Sequence, residues 1–289
     1  MSATEVHLTG YPAEVAGAEL PALIADMVAS GITAQDPELW GEKSVSEASI
    51  RLGWVEAVSV SAPLVPAINA LREQLTAAGI TRIVLAGMGG SSLAPEVITR
   101  TAGVPLVILD STAPGQVLAA LDGDENGTLE QTALVVSSKS GSTVETDSQR
   151  RAFEVAFRDL GIDPAERIIV VTDPGSPLDV SAREAGYVVF NAAPNVGGRY
   201  SALPAFGLVP SGLAGADIET LLREADSALL EVSIDSHDNP ALRLGAAIGG
   251  SLNGTRKDKH ALLPDGTPIV RLPDWVEQRN GESPGKVGP

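Results

Sequence analysis

Residues 134–146 read Leu134-Val135-Val136-Ser137-Ser138-Lys139-Ser140-Gly141-Ser142-Thr143-Val144-Glu145-Thr146. A short, continuously apolar run leads into a turn that is rich in hydroxyl groups, and a helical pattern follows. This order predicts a β-strand, a tight turn and the first turn of an α-helix. Because continuous apolar character is typical of strands buried on both faces, the stretch indicates a parallel sheet with helices on both sides.

Apolar runs that alternate with amphipathic stretches continue this pattern through the middle of the chain. The predicted strands cover residues 82–86, 105–109, 133–136, 167–172 and 187–190. We therefore predict an α/β fold with a doubly wound, parallel, five-stranded sheet, spanning about residues 60–210. Such sheets bind ligands at the carboxyl ends of their strands, which is where the glycine-rich turns of this chain fall.

Helical spacing of apolar residues flanks the predicted sheet. The predicted helices cover residues 15–27, 64–78, 218–230 and 240–252. From this organisation we expect an amino-terminal helical segment (1–60), an α/β domain (61–212) and the helical start of an incomplete second domain (213–289).

The charge balance limits the classes of partner. Of the 289 residues, 20 are Lys or Arg and 37 are Asp or Glu, which gives a formal net charge of −17. This field repels nucleic acids and anionic membranes, so we expect neither as a partner. Any anionic ligand must therefore be held by a local site.

Cysteine usage and the amino terminus indicate the compartment. The chain has no cysteine, which excludes disulfides, thiolate metal ligands and a cysteine nucleophile. The first residues carry no signal-peptide pattern, and no apolar run reaches the roughly 18 residues of a membrane helix. We therefore expect a cytoplasmic protein that does not span a membrane.

The turn after residue 137 has the composition of a phosphate site. It supplies hydroxyl groups and one ammonium group at Ser138, Lys139, Ser140, Ser142 and Thr143, with Gly141 between them. Hydroxyls, an ammonium and the unpaired N–H groups of a helix N-terminus together suit a phosphate ester. The alternative is a Ser/Gly loop that caps a helix and binds nothing.

A second glycine-rich turn follows the first predicted strand. Gly87 and Gly89 supply the first two positions of a dinucleotide fingerprint, but Ser92 stands at the third. Asp110 lies where a ribose-binding acid would be, so a dinucleotide-dependent oxidoreductase is one alternative. The paired serines that begin at Ser91 favour a small sugar or phosphate ester lying across two adjacent turns.

The turn at residues 195–201 carries an arginine after paired glycines. A permanently charged guanidinium at Arg199 could stabilise an oxyanion or enediolate. The alternative is an arginine that pairs with a surface carboxylate.

A carboxylate near the end of the chain could move a proton. Glu282 lies in a Gly/Pro-rich turn after a short predicted helix, and Gln278 lies one helical turn before it. A carboxylate in a partly dry pocket suits proton abstraction next to a carbonyl, whereas a solvated surface acid is the alternative. The three histidines show no metal-ligand spacing, so we expect no metal.

Four segments in sequence order together resemble the phosphoglucose isomerase family of the sugar isomerase (SIS) superfamily. The matching segments are residues 87–91, 138–146, 197–201 and 278–286. Residues 5–10 also resemble the start of the isomerase half of bifunctional transaldolase/glucose-6-phosphate isomerases, and we see no transaldolase portion. The resemblance implies a flavodoxin-like SIS fold and a homodimer in the full-length family member.

The resemblance implies a metal-free and cofactor-free interconversion of glucose 6-phosphate and fructose 6-phosphate through a cis-enediol. Glu282 matches the base that moves the proton, and Arg199 matches the cation beside the enediolate. Residues 138–143 match the phosphate loop, while the remaining substrate contacts match Gly90, Ser91 and Gln278.

The chain also departs from the family pattern. The family places a ring-opening histidine and a late lysine downstream of the glutamate, and this sequence continues for seven residues after Glu282. The family's phosphate loop commonly has a bulkier residue where Gly141 stands. We therefore interpret the chain as the amino-terminal part of an isomerase, with a non-catalytic sugar-phosphate-binding SIS module as the alternative.

Overall fold

The computed structural model describes residues 4–252, 254–256 and 259–282. These residues form two units: residues 4–58 with 220–263, and residues 59–219 with 264–282. Of the family motif at 278–286, residues 283–286 lie outside the described residues. The division into 1–60, 61–212 and 213–289 stays a prediction.

A parallel sheet forms the centre of the second unit. Its strands are β1 (Arg82–Gly87), β2 (Val107–Leu109), β3 (Thr132–Ser137), β4 (Ile168–Thr172) and β5 (Val188–Asn191). The strand order is β2-β1-β3-β4-β5, and every neighbouring pair is parallel. The doubly wound, five-stranded α/β prediction is confirmed. The edge strand β2 is shorter than predicted, and it begins two residues after Pro105, which has no N–H to donate to the ladder.

Helices follow the strands as expected for a doubly wound fold. The α-helices of the second unit are α5 (Val65–Ala77), α6 (Leu93–Ala102), α7 (Pro114–Asp122), α8 (Val144–Asp159), α9 (Pro177–Glu184), α10 (Ala205–Ala214) and α13 (Leu272–Glu282). Two further helices, α4 (Ala57–Ser61) and α11 (Ile218–Val232), include residues of both units.

The two faces of the sheet are buried by different helices. On one face, Phe153 and Phe157 of α8 are fully buried, with ring centroids 5.9 Å apart. On the other face, α10 packs against β1 and β4, and its Phe206 and Leu208 are buried. Each such side chain contributes about 1.5–3 kcal/mol through burial. Burial on both sides explains why β1, β3 and β4 are apolar without alternation.

The first unit is mainly helical. It contains α1 (Gly10–Ala25), α2 (Val28–Thr33), α3 (Val45–Arg51) and α12 (Pro240–Gly249), with a two-stranded hairpin of β6 (Ser251–Leu252) and β7 (Thr255–Arg256). Its core joins α1, α2 and α12 through residues that include Leu20, Ala29 and Leu242. The helix predicted over 240–252 ends earlier, at Gly249, because the chain turns into the hairpin.

One described helical stretch is long and apolar enough to cross a membrane by length and composition. It covers Gly53–Ala77, with a mean hydropathy of 1.3 over 18 residues. No such stretch was expected from the sequence. It carries charges at Arg72 and Glu73, and its carboxyl-terminal part, α5, packs against α10 with Ile68 fully buried. A core helix of a globular unit has the same composition.

Candidate functional site

The two glycine- and serine-rich turns leave adjacent strands at the same edge of the sheet. β1 and β3 are hydrogen-bonded neighbours, and Gly87 pairs in register with Ser137. In the order β2-β1-β3-β4-β5 the connections change direction between β1 and β3, which is the switch point where such sheets bind ligands. The structure therefore places the two turns predicted from the sequence beside each other.

The turn at residues 138–143 is closed by hydrogen bonds between its own hydroxyl groups. Ser138 Oγ donates to Thr143 Oγ1 at 3.1 Å, and Ser142 Oγ donates to Ser140 Oγ at 3.0 Å. Gly141 has φ +68°, and a Cβ there would lie 2.8 Å from both N and Cβ of Leu178. A glycine is required at this point by both the backbone conformation and the close approach of α9.

The helix that follows this turn presents its N-terminus to the same edge. Thr143 is the N-cap of α8, and among the described residues its side chain makes no capping hydrogen bond to the helix. The first N–H groups of α8 therefore remain without a side-chain cap and can receive an anion. Glu145 and Asp147 also lie in the first turn, so the helix N-terminus already has carboxylates near it.

The ammonium group of Lys139 points to the ends of the neighbouring strands. Its Nζ lies 2.9 Å from Oδ1 and 2.8 Å from Oδ2 of Asp173, the residue after β4. It also donates to the carbonyl oxygens of Ala193 at 3.4 Å and Pro194 at 3.3 Å. The lysine expected to face a phosphate is thus held by a carboxylate that the sequence analysis did not single out.

A partly buried polar network runs along α8 from its first turn towards its middle. Arg150 of α8 pairs with Asp147 at 2.6 Å and with Glu154, which also accepts a hydrogen bond from Tyr187 at 2.6 Å. Burial by itself lowers the pKa of Arg150, but the hydrogen bond to Asp147 and the charges of Glu154 and Asp147 outweigh it and raise the pKa. Arg150 therefore stays cationic.

The turn after β1 touches the turn that carries Arg199. Gly89–Ser91 and Gly198–Tyr200 are short 3-10 turns that pack against each other. A Cβ at Gly90 would lie 2.6 Å from the backbone N of Arg199 and 2.8 Å from the carbonyl oxygen of Gly198. This approach requires a glycine at position 90, and it brings Gly90 and Ser91 beside the backbone of Arg199.

Helix α13 packs on both of these turns. Its Gln278 amide covers Gly89, since a Cβ there would lie 2.8 Å from Gln278 Nε2. Trp275 Nε1 donates to the carbonyl oxygen of Arg199 at 3.2 Å. The buried Oε1 of Gln278 has no hydrogen-bond partner within the described part of the chain. Glu282 is the last residue of α13, one turn beyond Gln278, and its side chain lies outside the described part of the structure.

An arginine between two aromatic rings holds α13 to the Arg199 turn. The guanidinium of Arg279 lies 4.9 Å from the ring centroid of Tyr200 and 5.2 Å from that of Trp275. Arg199 also lies 5.8 Å from the Tyr200 ring. These contacts were not predicted from the sequence, although a Trp and an Arg spaced by four on one helix face were a usable signal for the Arg279–Trp275 contact.

The described residues contain no group of three or more His, Asp or Glu side chains placed to hold a metal ion. The Asp110 carboxylate of the dinucleotide alternative is exposed at the end of β2.

Comparisons with known proteins agree with the resemblance seen in the sequence. No protein-family model matches the chain. A probable glucose-6-phosphate isomerase of Haloarcula marismortui is 34% identical over 209 residues, which are 71% of this chain and 47% of that protein. The glucose-6-phosphate isomerase of Rubrobacter xylanophilus is 32% identical over 232 residues, 75% of this chain and 53% of that protein. The chain is a homologue of the glucose-6-phosphate isomerases.

Solved structures extend the comparison for this isomerase homologue. A hypothetical protein from Thermus thermophilus superposes with a TM-score of 0.64 at 28% identity, covering 81% of this chain and 52% of that one. A glucose-6-phosphate isomerase from Chlamydia trachomatis has a TM-score of 0.58 at 23% identity, covering 81% and 48%, and supports the fold. The chain spans about half the length of the curated relatives it matches.

The predicted site residues of the isomerase homologue fall into two neighbouring groups. Gly90, Ser91, Arg199 and Gln278 meet where three segments converge, and residues 138–143 form the adjacent loop. The roles assigned to these residues stay predictions, as does that of Glu282. The relation of residues 5–10 to the isomerase half of the bifunctional enzymes also stays a prediction.

Proposed function

We propose that this protein is an aldose–ketose isomerase that interconverts D-glucose 6-phosphate and D-fructose 6-phosphate through a cis-enediol. Homology to glucose-6-phosphate isomerases supports the proposal. The observation that carries it is the convergence of Gly90, Arg199 and Gln278 beside the hydroxyl-rich loop at the switch point of the sheet.

The loop at residues 138–143 would hold the phosphate end of the sugar. Hydroxyl groups and the uncapped N-terminus of α8 supply hydrogen-bond donors, which suits a dianion. Fixing the phosphate holds a flexible open-chain sugar in one orientation. The reacting carbons then lie beside the catalytic groups, and less entropy is lost in the reaction step.

Proton transfer would then occur near the end of α13. In the aldose-to-ketose direction, Glu282 removes the proton from C2 and returns it to C1, while a hydroxyl proton moves from O2 to O1. Arg199 stabilises the negative charge that develops on the enediolate oxygen. Gln278 lies against Gly89 in the same turn as Gly90, and its amide would contact the sugar there.

The full chain tests this proposal through hydrogen exchange at C2. Glucose 6-phosphate deuterated at C2 should lose its label to water with the wild-type protein, and Glu282→Gln should lower the rate by at least about 10²-fold. Glu277→Gln is the matched control, because Glu277 is an exposed acid on the same helix. Sugar-phosphate binding without any exchange would favour the non-catalytic SIS module instead.

The resemblance to the isomerase family and the sequence features also suggest the oligomeric state and the location of the protein. We expect a homodimer in the full-length family member, a sugar phosphate as the small-molecule partner and a cytoplasmic location. Sedimentation of the protein at several concentrations measures its oligomeric state.

A further inference from the structure

The contacts of Lys139 use the whole hydrogen-bonding capacity of its ammonium group. An ammonium has three N–H donors, and Nζ lies within hydrogen-bond distance of the Asp173 carboxylate and of the carbonyl oxygens of Ala193 and Pro194. Asp173 follows β4, while Ala193 and Pro194 follow β5. The charge of Lys139 is therefore directed along the sheet edge, toward β4 and β5.

Further bonds tie the same turn to the end of β4. Thr172 Oγ1 donates to the carbonyl oxygen of Ser138 at 2.7 Å. The backbone N–H of Asp173 donates to the carbonyl oxygen of Lys139 at 3.4 Å. Gly141 lies against Leu178 and Ser176 at the start of α9. The ion pair is thus the charged member of a set of contacts that fixes the shape of residues 138–143.

The two partners neutralise each other in a sheltered position. The side chain of Lys139 is 23% exposed and that of Asp173 is 22% exposed, so water screens the pair only in part. Because Asp173 neutralises its charge, Lys139 adds little net positive charge to the turn at residues 138–143. The donors left for a phosphate are the hydroxyl groups and the N–H groups at the start of α8.

We infer that Lys139 and Asp173 are a pair of positioning residues that hold the turn at 138–143 in its anion-binding shape, and that the Lys139 side chain is not a phosphate ligand. This inference rests on the proposed function, because it concerns the same phosphate loop. It assigns Asp173 a role that the sequence did not suggest.

The two possible roles of Lys139 predict opposite effects of Asp173→Asn. If the pair positions the loop, losing the carboxylate should weaken binding of glucitol 6-phosphate by about tenfold. If Lys139 is a ligand, losing its competing carboxylate should strengthen binding. Titration calorimetry on the full chain measures the affinity, and Glu166→Gln, which removes an exposed acid before β4, controls for the change in net charge.

A double-mutant cycle with Lys139→Met completes the test. If the two residues act as a positioning pair, each single variant loses the same ion pair and binds more weakly than wild type. The double variant should then have an affinity no lower than that of the single variant with the lower affinity. Tighter or unchanged binding by Asp173→Asn, or additive losses in the double variant, would overturn the inference.

Hydrogen exchange of the loop amides separates this inference from the proposed function. Both single variants should speed exchange at residues 138–143 in the protein without ligand, and Glu166→Gln should not. If the wild-type protein binds no sugar phosphate, the proposed function fails while the amide exchange still tests the positioning role. Unchanged exchange in a folded variant would contradict it.

Discussion

At the scale of single residues, glycines set the shape of the candidate site. Gly90 lies against the backbone of the Gly198–Arg199 peptide. Gly141 lies against the backbone N of Leu178. Side chains at these positions would push apart segments that come from different parts of the chain. The shape of the site therefore depends on the absence of a Cβ at Gly90 and Gly141 as much as on the charged groups around them.

Replacing Gly90 by alanine should separate the first turn from the Arg199 turn. The new Cβ would lie 2.6 Å from backbone atoms, and overpacking of this kind costs about 1–3 kcal/mol. We expect a lower melting temperature and a loss of C2 exchange. Gly198→Ala is the matched control, because a Cβ there meets nothing within 4 Å, and equal effects of the two substitutions would contradict the prediction.

The buried Tyr187, which precedes β5 and bonds to Glu154 of α8, gives a pH dependence. Burial, followed by the hydrogen bond to Glu154, raises the pKa of Tyr187 to about 12 from its ordinary value of 10.0. The neutral phenol is thus favoured in the folded state, so its contribution is complete below pH 10.0 and is lost as the pH rises toward about 12. Compared with wild type, Tyr187→Phe should flatten the fall in unfolding free energy between these values in denaturant titrations.

At the scale of elements, α13 completes the site by packing on two 3-10 turns. Trp275 bonds to the Arg199 carbonyl, Gln278 covers Gly89, and Arg279 lies between two rings. Glu282 stands on the same helix, so the position of its backbone depends on these contacts. None of the described side chains of α13 is fully buried, so its polar and cation–π contacts contribute to holding it in place.

Removing the cation between the rings should loosen α13. Arg279→Met keeps a long apolar side chain but loses two cation–π contacts, worth about 0.5–2 kcal/mol in total. We expect slower C2 exchange and faster amide exchange along α13 with little change in the melting temperature. Arg158→Met, at an exposed arginine near the end of α8, should leave all three measurements unchanged.

At the scale of the whole molecule, the net charge of −17 opposes the arrival of a dianion such as the proposed sugar phosphate. Salt screens this long-range repulsion at physiological ionic strength, so only a weak repulsion remains there. Binding then depends on the short-range hydrogen-bond donors of the site. The dependence of association on salt concentration measures the long-range part.

Adding salt should therefore speed association of glucitol 6-phosphate. Raising KCl from about 10 to 150 mM shortens the Debye length from roughly 30 to 8 Å and removes most of the repulsion. We expect the association rate constant in stopped-flow measurements to rise several-fold, whereas sucrose of equal osmolarity should not raise it. A falling rate would instead indicate a net cationic approach to the site.

Local patterns predicted most of the sheet and the positions of its turns. β1, β3 and β4 are buried on both faces, so each leaves an unbroken apolar run, and their predicted bounds are within one residue of the structure. The edge strand β2 was predicted two residues too long, because Pro105 has no N–H to donate and the strand pairs on one side only.

The sequence by itself determined the α/β class, the hydroxyl-rich loop and the glycines that allow close approach, because these follow from burial period and backbone conformation over a few residues. Only the tertiary structure decided that Lys139 pairs with Asp173 and that Arg279 lies over the ring of Tyr200. Asp173 lies 34 positions after Lys139, and Arg279 lies 79 positions after Tyr200. The direction of a long charged side chain depends on which strand ends become neighbours, and that choice is made by the packing of the whole sheet.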